Sequence, residues 1–138
     1  MRIIKLSPED PDMKDRGMVD LFFNKKLRER KPRGQFLITK GRISEKGISP
    51  GEMLVFSYNG EIVYLALSKS GRLTTTGPEA NNYPFYFCVD ISTIVKGKRS
   101  LHELEKEINA SKHIVKTQGW PSFKDSLELK RIWEKFKK

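Results

Sequence analysis

The sequence predicts an α+β fold: a small, mostly antiparallel β-barrel with peripheral helices. Three observations carry that prediction. "MLVFSYNGEIVYLAL" (53–67) is a hairpin around Asn59-Gly60, a residue pair suited to a two-residue type I′ turn because both positions need positive φ. "YPFYFCVDI" (83–91) is a second β-rich run, and three helical stripes punctuate the rest. At 138 residues the chain is one domain long, and residues 1–138 are read as a single domain.

In order, "RIIKL" (2–6) reads as a strand that ends where Pro8 and Pro11 forbid a regular element. Residues 16–30 read as a helix with Val19, Phe22, Phe23 and Leu27 on one face, stopped by Pro32. "GQFLIT" (34–39) is a short strand. In the hairpin, pairing outward from the turn sets Tyr58 opposite Glu61, Ser57 opposite Ile62, Phe56 opposite Val63 and Val55 opposite Tyr64. One face then carries Leu54, Phe56, Tyr58, Val63 and Leu65, the other Met53, Val55, Ile62, Tyr64 and Ala66. Both faces are apolar, as expected of strands covered on both sides in a small barrel wrapped by helices.

"KSGRLTTTGPEANN" (69–82) is a polar loop, and the strand after it sends Phe85, Phe87, Val89 and Ile91 to one side. Ser100 with Glu103 is a capping box for the helix "LHELEKEIN", with Leu101, Leu104 and Ile108 as its stripe. "ASKHIVKTQGWPSF" is irregular with a short strand at "HIVK", and a last helix from Ser126 buries Leu129, Ile132, Trp133 and Phe136.

Composition narrows the partners. Hydrophobic residues reach 37% and aromatics 10%, too rich for a disordered chain despite 32% charged residues. No window approaches the roughly 20 apolar residues of a membrane span, and "MRIIKLSPEDPD" lacks the apolar core of a signal peptide. A cytoplasmic protein with no membrane partner is expected. Lys plus Arg number 27 against 17 Asp plus Glu, a net charge of +10, which points to a polyanion and first to nucleic acid. The densest run, "NKKLRERKPRGQFLITKGR" (24–42), sets eight bases against Glu29. From it Lys25, Lys26, Arg28, Arg30, Arg33, Lys40 and Arg42 are expected to contact phosphates.

Templates for chemistry find no match. His102 and His113 have no Cys, Asp or second His at ligand spacing, and Cys88 sits in an apolar strand with no adjacent base to form a thiolate. Glycine-rich phosphate loops, G-x-S-x-G and H-E-x-x-H are absent. No catalytic residue, metal or cofactor is therefore assigned. The aromatics fall on apolar faces, with exceptions near turns and loops: Tyr58, Tyr83, Tyr86 and Trp120. A loop tryptophan is either a lid on the core or a platform for base stacking.

At this point "ISPGEMLVFSYNGEIVYLALSKSGRL", "YPFYFCVDISTIVKGKRSLHELEKEI" and "QGWPSFKDSLELKRIWEKF" together resemble the EVE domains of the PUA-like superfamily, with Trp133 at the family's helix tryptophan. The chain departs from that pattern in its first strand, "RIIKL", and in "VKTQGWPSF" ahead of the last helix. The resemblance implies a mostly closed barrel related to the YTH fold, whose pocket accepts a modified base extruded from the helical stack. It also implies a reader of N6-methyladenine or modified cytosine, in some members the specificity module of a restriction system. By that likeness the base pocket draws on Ser57, Tyr58, Asn81, Asn82, Tyr83 and Trp120, the Asn amides offering donor and acceptor to a base edge. DNA is favoured over RNA. Two alternatives stay open: an RNA-binding accessory module, and a small hydrolase of a modified nucleoside using Lys69, Glu61 or Asp90.

Overall fold

In the computed structural model, which describes residues 1–39, 42–44, 47–108 and 113–138, the chain opens on β1 (Arg2–Leu6). Asp15 then caps a helical stretch by accepting the Met18 N–H at 2.9 Å. That stretch runs as α1 (Arg16–Leu21), widens to a π-helical segment (Phe22–Lys26) and closes as α2 (Leu27–Glu29). Its expected stripe holds, with Val19, Phe22, Phe23 and Leu27 all buried. β2 (Gln35–Ile38), β3 (Met53–Tyr58) and β4 (Glu61–Ser68) follow. The polar loop contains the short β5 (Leu73–Thr74) and a 3₁₀ turn (Pro78–Asn81), and β6 (Phe85–Lys96) is longer than expected. Ser100 and Ser126 cap α3 (Leu101–Ile108) and α4 (Leu127–Lys135), each hydroxyl accepting an N–H three residues on. Asn109, expected at the end of the third helix, lies outside the described residues. Among the described residues no helix is long and apolar enough to cross a membrane.

The sheet order is β1-β3-β4-β6-β2, with β5 also on β6. β1 runs parallel to β3 and the other pairings are antiparallel, so the sheet is mixed. Four strand spacings separate β1 from β2, about 19 Å in a flat sheet. Yet Leu6 of β1 and Phe36 of β2 line one cavity, so the sheet must curl. Among the described residues it does not close by pairing: where a mostly closed barrel was expected, the α+β fold has a curled half-barrel sheet with a seam between β1 and β2.

The hairpin turn forms as expected, with φ of 50° at Asn59 and 80° at Gly60. Tyr58 opposes Glu61 and Ser57 opposes Ile62, but the next two expected pairs are replaced. Phe56 faces Tyr64 and Val55 faces Leu65, because Val63 is an extra residue in β4. One inserted residue reverses the alternation beyond it. Tyr64 and Ala66 therefore join Leu54, Phe56 and Tyr58 inside the curl, while Leu65 joins Met53 and Val55 on the outer face. The inner core packs against Phe22, Phe23 and Leu27, and the outer one against Leu101, Leu104, Ile132, Trp133 and Phe136. The Trp133 indole N–H donates to Leu54 O at 3.0 Å, fastening α4 to β3. Two further expectations change: "HIVK" forms a turn instead of a strand, and Phe85 is only half-buried.

Gly34 is the tightest point of the fold. Its φ is +78°, and a Cβ there would lie 2.1 Å from the Val89 carbonyl oxygen. Its own N–H donates to Leu27 O at 2.9 Å while its carbonyl accepts from Val89 N–H at 2.8 Å, so it joins the first residue of α2 to β6. Gly34→Ala is expected to lower stability by about 2–3 kcal/mol, read as a lower urea midpoint with an unchanged slope; an unaltered midpoint would contradict the close approach.

Candidate functional site

The seam between the two edge strands holds a cavity of about 260 Å³, floored by Leu6 and Phe36 and walled by Tyr83 and Trp120. That is just below the roughly 300–1,000 Å³ of ordinary small-molecule pockets, a size for one flat group. The edge of Phe36 meets the Trp120 ring at 6.2 Å and 68°, and the Arg42 guanidinium lies 5.7 Å from the centre of the same ring. Arg42 also donates to Gln118 O at 3.4 Å. A trough of about 530 Å³ continues past Lys5, Arg42 and Trp120 towards Ser57 and Asn59. In the other direction Tyr83 and Phe36 share a small hollow with Phe22 and Arg30, whose guanidinium sits 5.3 Å from the Phe22 ring centre.

Trp120 owes its position to β1. Residues 121–123 pair along the free edge of that strand, through Ile3 N–H to Pro121 O at 2.9 Å and Phe123 N–H to Met1 O at 2.8 Å. Arg2, only 6% exposed, donates from Nη1 to Trp120 O at 2.8 Å and from Nη2 to Gly47 O. Its Nε lies 3.8 Å from the Glu52 carboxylate. Arg2, Glu52 and Phe36 were not among the sequence-predicted site residues. The alternation of "RIIKL" did hold the signal, since Arg2 shares the inward face of Ile4 and Leu6. Lys5 points to the other face and gathers the 114–117 turn, donating to Ile114 O at 2.6 Å and to Thr117 O. Burial lowers the pKa of both basic groups, opposed by Glu52 for Arg2 and by Glu105 for Lys5.

Of the sequence-predicted pocket residues, Tyr83 and Trp120 come together in the cavity. Ser57 is buried and borders the neighbouring trough. Tyr58 sits in the inner core, its hydroxyl donating to Met13 O at 2.8 Å, because its place before the turn faces the inside of the curl. Asn81 and Asn82 are exposed on the 3₁₀ turn and do not line the cavity. The basic run divides in the same way. Arg42 and Arg30 flank the rings at opposite ends, while Lys25 and Arg33 are exposed. Lys26 pairs with Asp12 at 3.2 Å, and Arg28 donates to Phe23 O and Ile91 O, both at 3.3 Å. Lys40 lies outside the described residues. Lys69, Glu61 and Asp90 line neither seam cavity; Asp90 accepts from the Ser92 N–H and hydroxyl.

Burial pushes the Tyr83 phenol above its ordinary pKa, and the carboxylates of Asp10 and Asp12 push the same way against Arg30. The hydroxyl stays protonated at neutral pH and is available to donate. A roomier groove of about 690 Å³ lies between β6 and α4, beside Val95, Leu127 and Trp133. Its one ring, Trp133, has its N–H engaged with Leu54 O, and no sequence-predicted site residue borders it. Lys137 lies 4.4 Å from the centre of that ring, but the seam gathers three rings, Phe36, Tyr83 and Trp120, with Arg42 and is the better candidate.

Glu52 supplies a pH test of the Trp120 clamp. Burial is the largest influence on its carboxyl and raises the pKa above 4.5, outweighing the opposing pull of the N-terminal ammonium and Arg2. The folded chain thus holds that proton more firmly than the unfolded chain. Its stabilising contribution is complete below pH 4.5 and is lost as pH rises through the higher folded value. Glu52→Gln should flatten the dependence of melting temperature on pH just above 4.5; an unchanged profile would mean that Glu52 titrates as in water. Compared with protein-family models, with curated proteins and with solved structures, the chain matches none.

Proposed function

We propose that the protein is a nucleic-acid reader that takes one modified base of DNA into the ring-lined cavity at the seam. The observation that carries this reading is the meeting of Trp120, Tyr83 and Phe36 with Arg42 at the opening between β1 and β2, the two end strands of the sheet. A base face stacked on an aromatic ring is worth roughly 1–3 kcal/mol, and the pocket has room for one ring system. Arg42 and Arg30, at opposite ends of the rings, are the candidates to meet the phosphates on either side of an extruded nucleotide, Arg30 by exchanging its ion pair with Asp12, and the exposed Lys25 and Arg33 add positive charge. The net charge of +10 favours encounter with any polyanion, leaving discrimination to the rings. The EVE-like order of the hairpin, the aromatic strand and the final loop and helix favours the same reading. The reader role needs no catalytic group.

A panel of otherwise identical oligonucleotides, each with one altered base, tests this. Trp120→Ala and Tyr83→Ala should each weaken binding at the modified site by about tenfold and leave unmodified duplex little changed. Arg42→Gln should weaken all members alike and reduce the slope of log K against log[salt] by about 0.7–0.9. Equal weakening of modified and unmodified DNA by Trp120→Ala would overturn selection by the pocket, and tighter binding to matched RNA would assign the RNA alternative instead.

A further inference from the structure

In a chain so rich in cations, the seam cavity also carries two acids: Glu9 and Asp10 line it with Tyr83 and Trp120, alongside Lys5 and Arg42. Their neighbour Asp12 is neutralised by Lys26 at 3.2 Å and Arg30 at 3.6 Å. Among the described residues no cation lies within ion-pair distance of Glu9 or Asp10. Asp10 is held in place by its own turn, its Oδ1 accepting the Asp12 N–H at 2.9 Å and its N–H donating to Ser7 O at 3.1 Å. Among the described residues the half-buried carboxylate of Asp10 therefore stands without an ion-pair partner, on a backbone held by its own turn.

We infer that Glu9 and Asp10 set the specificity of the cavity for a base whose edge donates hydrogen bonds, an amino-bearing or positively charged base, and turn away bases with a carbonyl at the same position. This rests on the reader proposed above. Stacking on Trp120 or Tyr83 is blind to the edge of the base, because every base has a π-face. Discrimination must come from edge groups, and an ionised carboxylate can only accept. An exocyclic amine of adenine or cytosine, methylated or not, keeps an N–H to give it. A carbonyl at the same place would set acceptor against acceptor, with both desolvated and unpaired. Of the charged donors lining the cavity, Arg42 is held beside the Trp120 ring and Lys5 by the Ile114 carbonyl, which leaves neutral donors such as the Tyr83 hydroxyl as the groups a carbonyl edge would have to reach.

The test uses single-stranded oligonucleotides differing at one position: adenine against hypoxanthine, and cytosine against uracil. Each pair exchanges an amine for a carbonyl with nearly the same ring area. The wild-type chain should prefer the amine by about tenfold, and the double variant Glu9→Gln/Asp10→Asn should abolish or reverse the preference, since an amide can also donate. Asn keeps the oxygen that accepts the Asp12 N–H, so the turn survives; an unchanged thermal melt verifies this. No preference in the wild type, or the same preference in the double variant, would overturn the inference while Trp120→Ala still weakens binding and the reader stands. If Trp120→Ala binds every oligonucleotide like the wild type, the reader and the inference fall together.

Discussion

Phe36 is the contact on which both the core and the cavity depend. Its ring lies 5.9 Å from Phe22, 5.6 Å from Phe56, 5.2 Å from Phe87 and 6.2 Å from Trp120. Those partners come from the π-helical segment, β3, β6 and the loop before α4, so one side chain on an edge strand touches most of the inner wall. Phe23 extends the series inward, edge-on to Phe56 at 4.8 Å and stacked on Tyr64 at 4.4 Å. Aromatic pairs add roughly 0.5–1.5 kcal/mol each beyond the area they bury, with strict geometric preferences. A series of such pairs ties the rings at the rim of the cavity to those at the centre of the core.

At the other rim, order comes from ions instead of rings. Arg2 brings a guanidinium almost fully out of water, a cost offset by two carbonyl acceptors and the Glu52 carboxylate. The N-terminal ammonium pairs with Asp125 a few residues beyond Trp120. These contacts bind the loop carrying Trp120 to the start of β1 from both directions. A loop tryptophan can serve as a platform only if its backbone is fixed, and here that is done by charged hydrogen bonds to carbonyls.

Charge also sorts the surface. Lys26 and Arg28 read as phosphate contacts along the sequence, yet Lys26 pairs with the Asp12 carboxylate and Arg28 donates to the Phe23 carbonyl, as Lys5 does to that of Ile114. The Gly97–Lys137 bridge brings Lys96 and Lys98 to the C-terminal Lys137 and Lys138, joining positions 40 apart in the sequence. Arg42 by contrast remains exposed beside Trp120. The positive charge is thus less uniform than composition suggests, and the acidic pair Glu9 and Asp10 sits within it.

The amino-acid sequence by itself determined the local elements: the Asn59-Gly60 turn, the Ser100 cap, the start of the last helix at Ser126, the Val19–Leu27 stripe and the apolar strands. Each of these rests on interactions between residues a few positions apart, where residue type and spacing settle the outcome. Tyr83 and Trp120 could be singled out because a polar-handled ring in a loop has no local apolar face to join. Only the tertiary structure decided that Val63 would bulge and send Tyr64 inward, that Tyr58 would be core, and that Arg2 would hold the carbonyl of a residue 118 positions away. It also decided that β1 and β2 would leave a seam for rings to line. Those outcomes depend on how far a twisted sheet of given strand number curls and which edges it leaves unpaired, a global geometric balance that no short window of sequence contains.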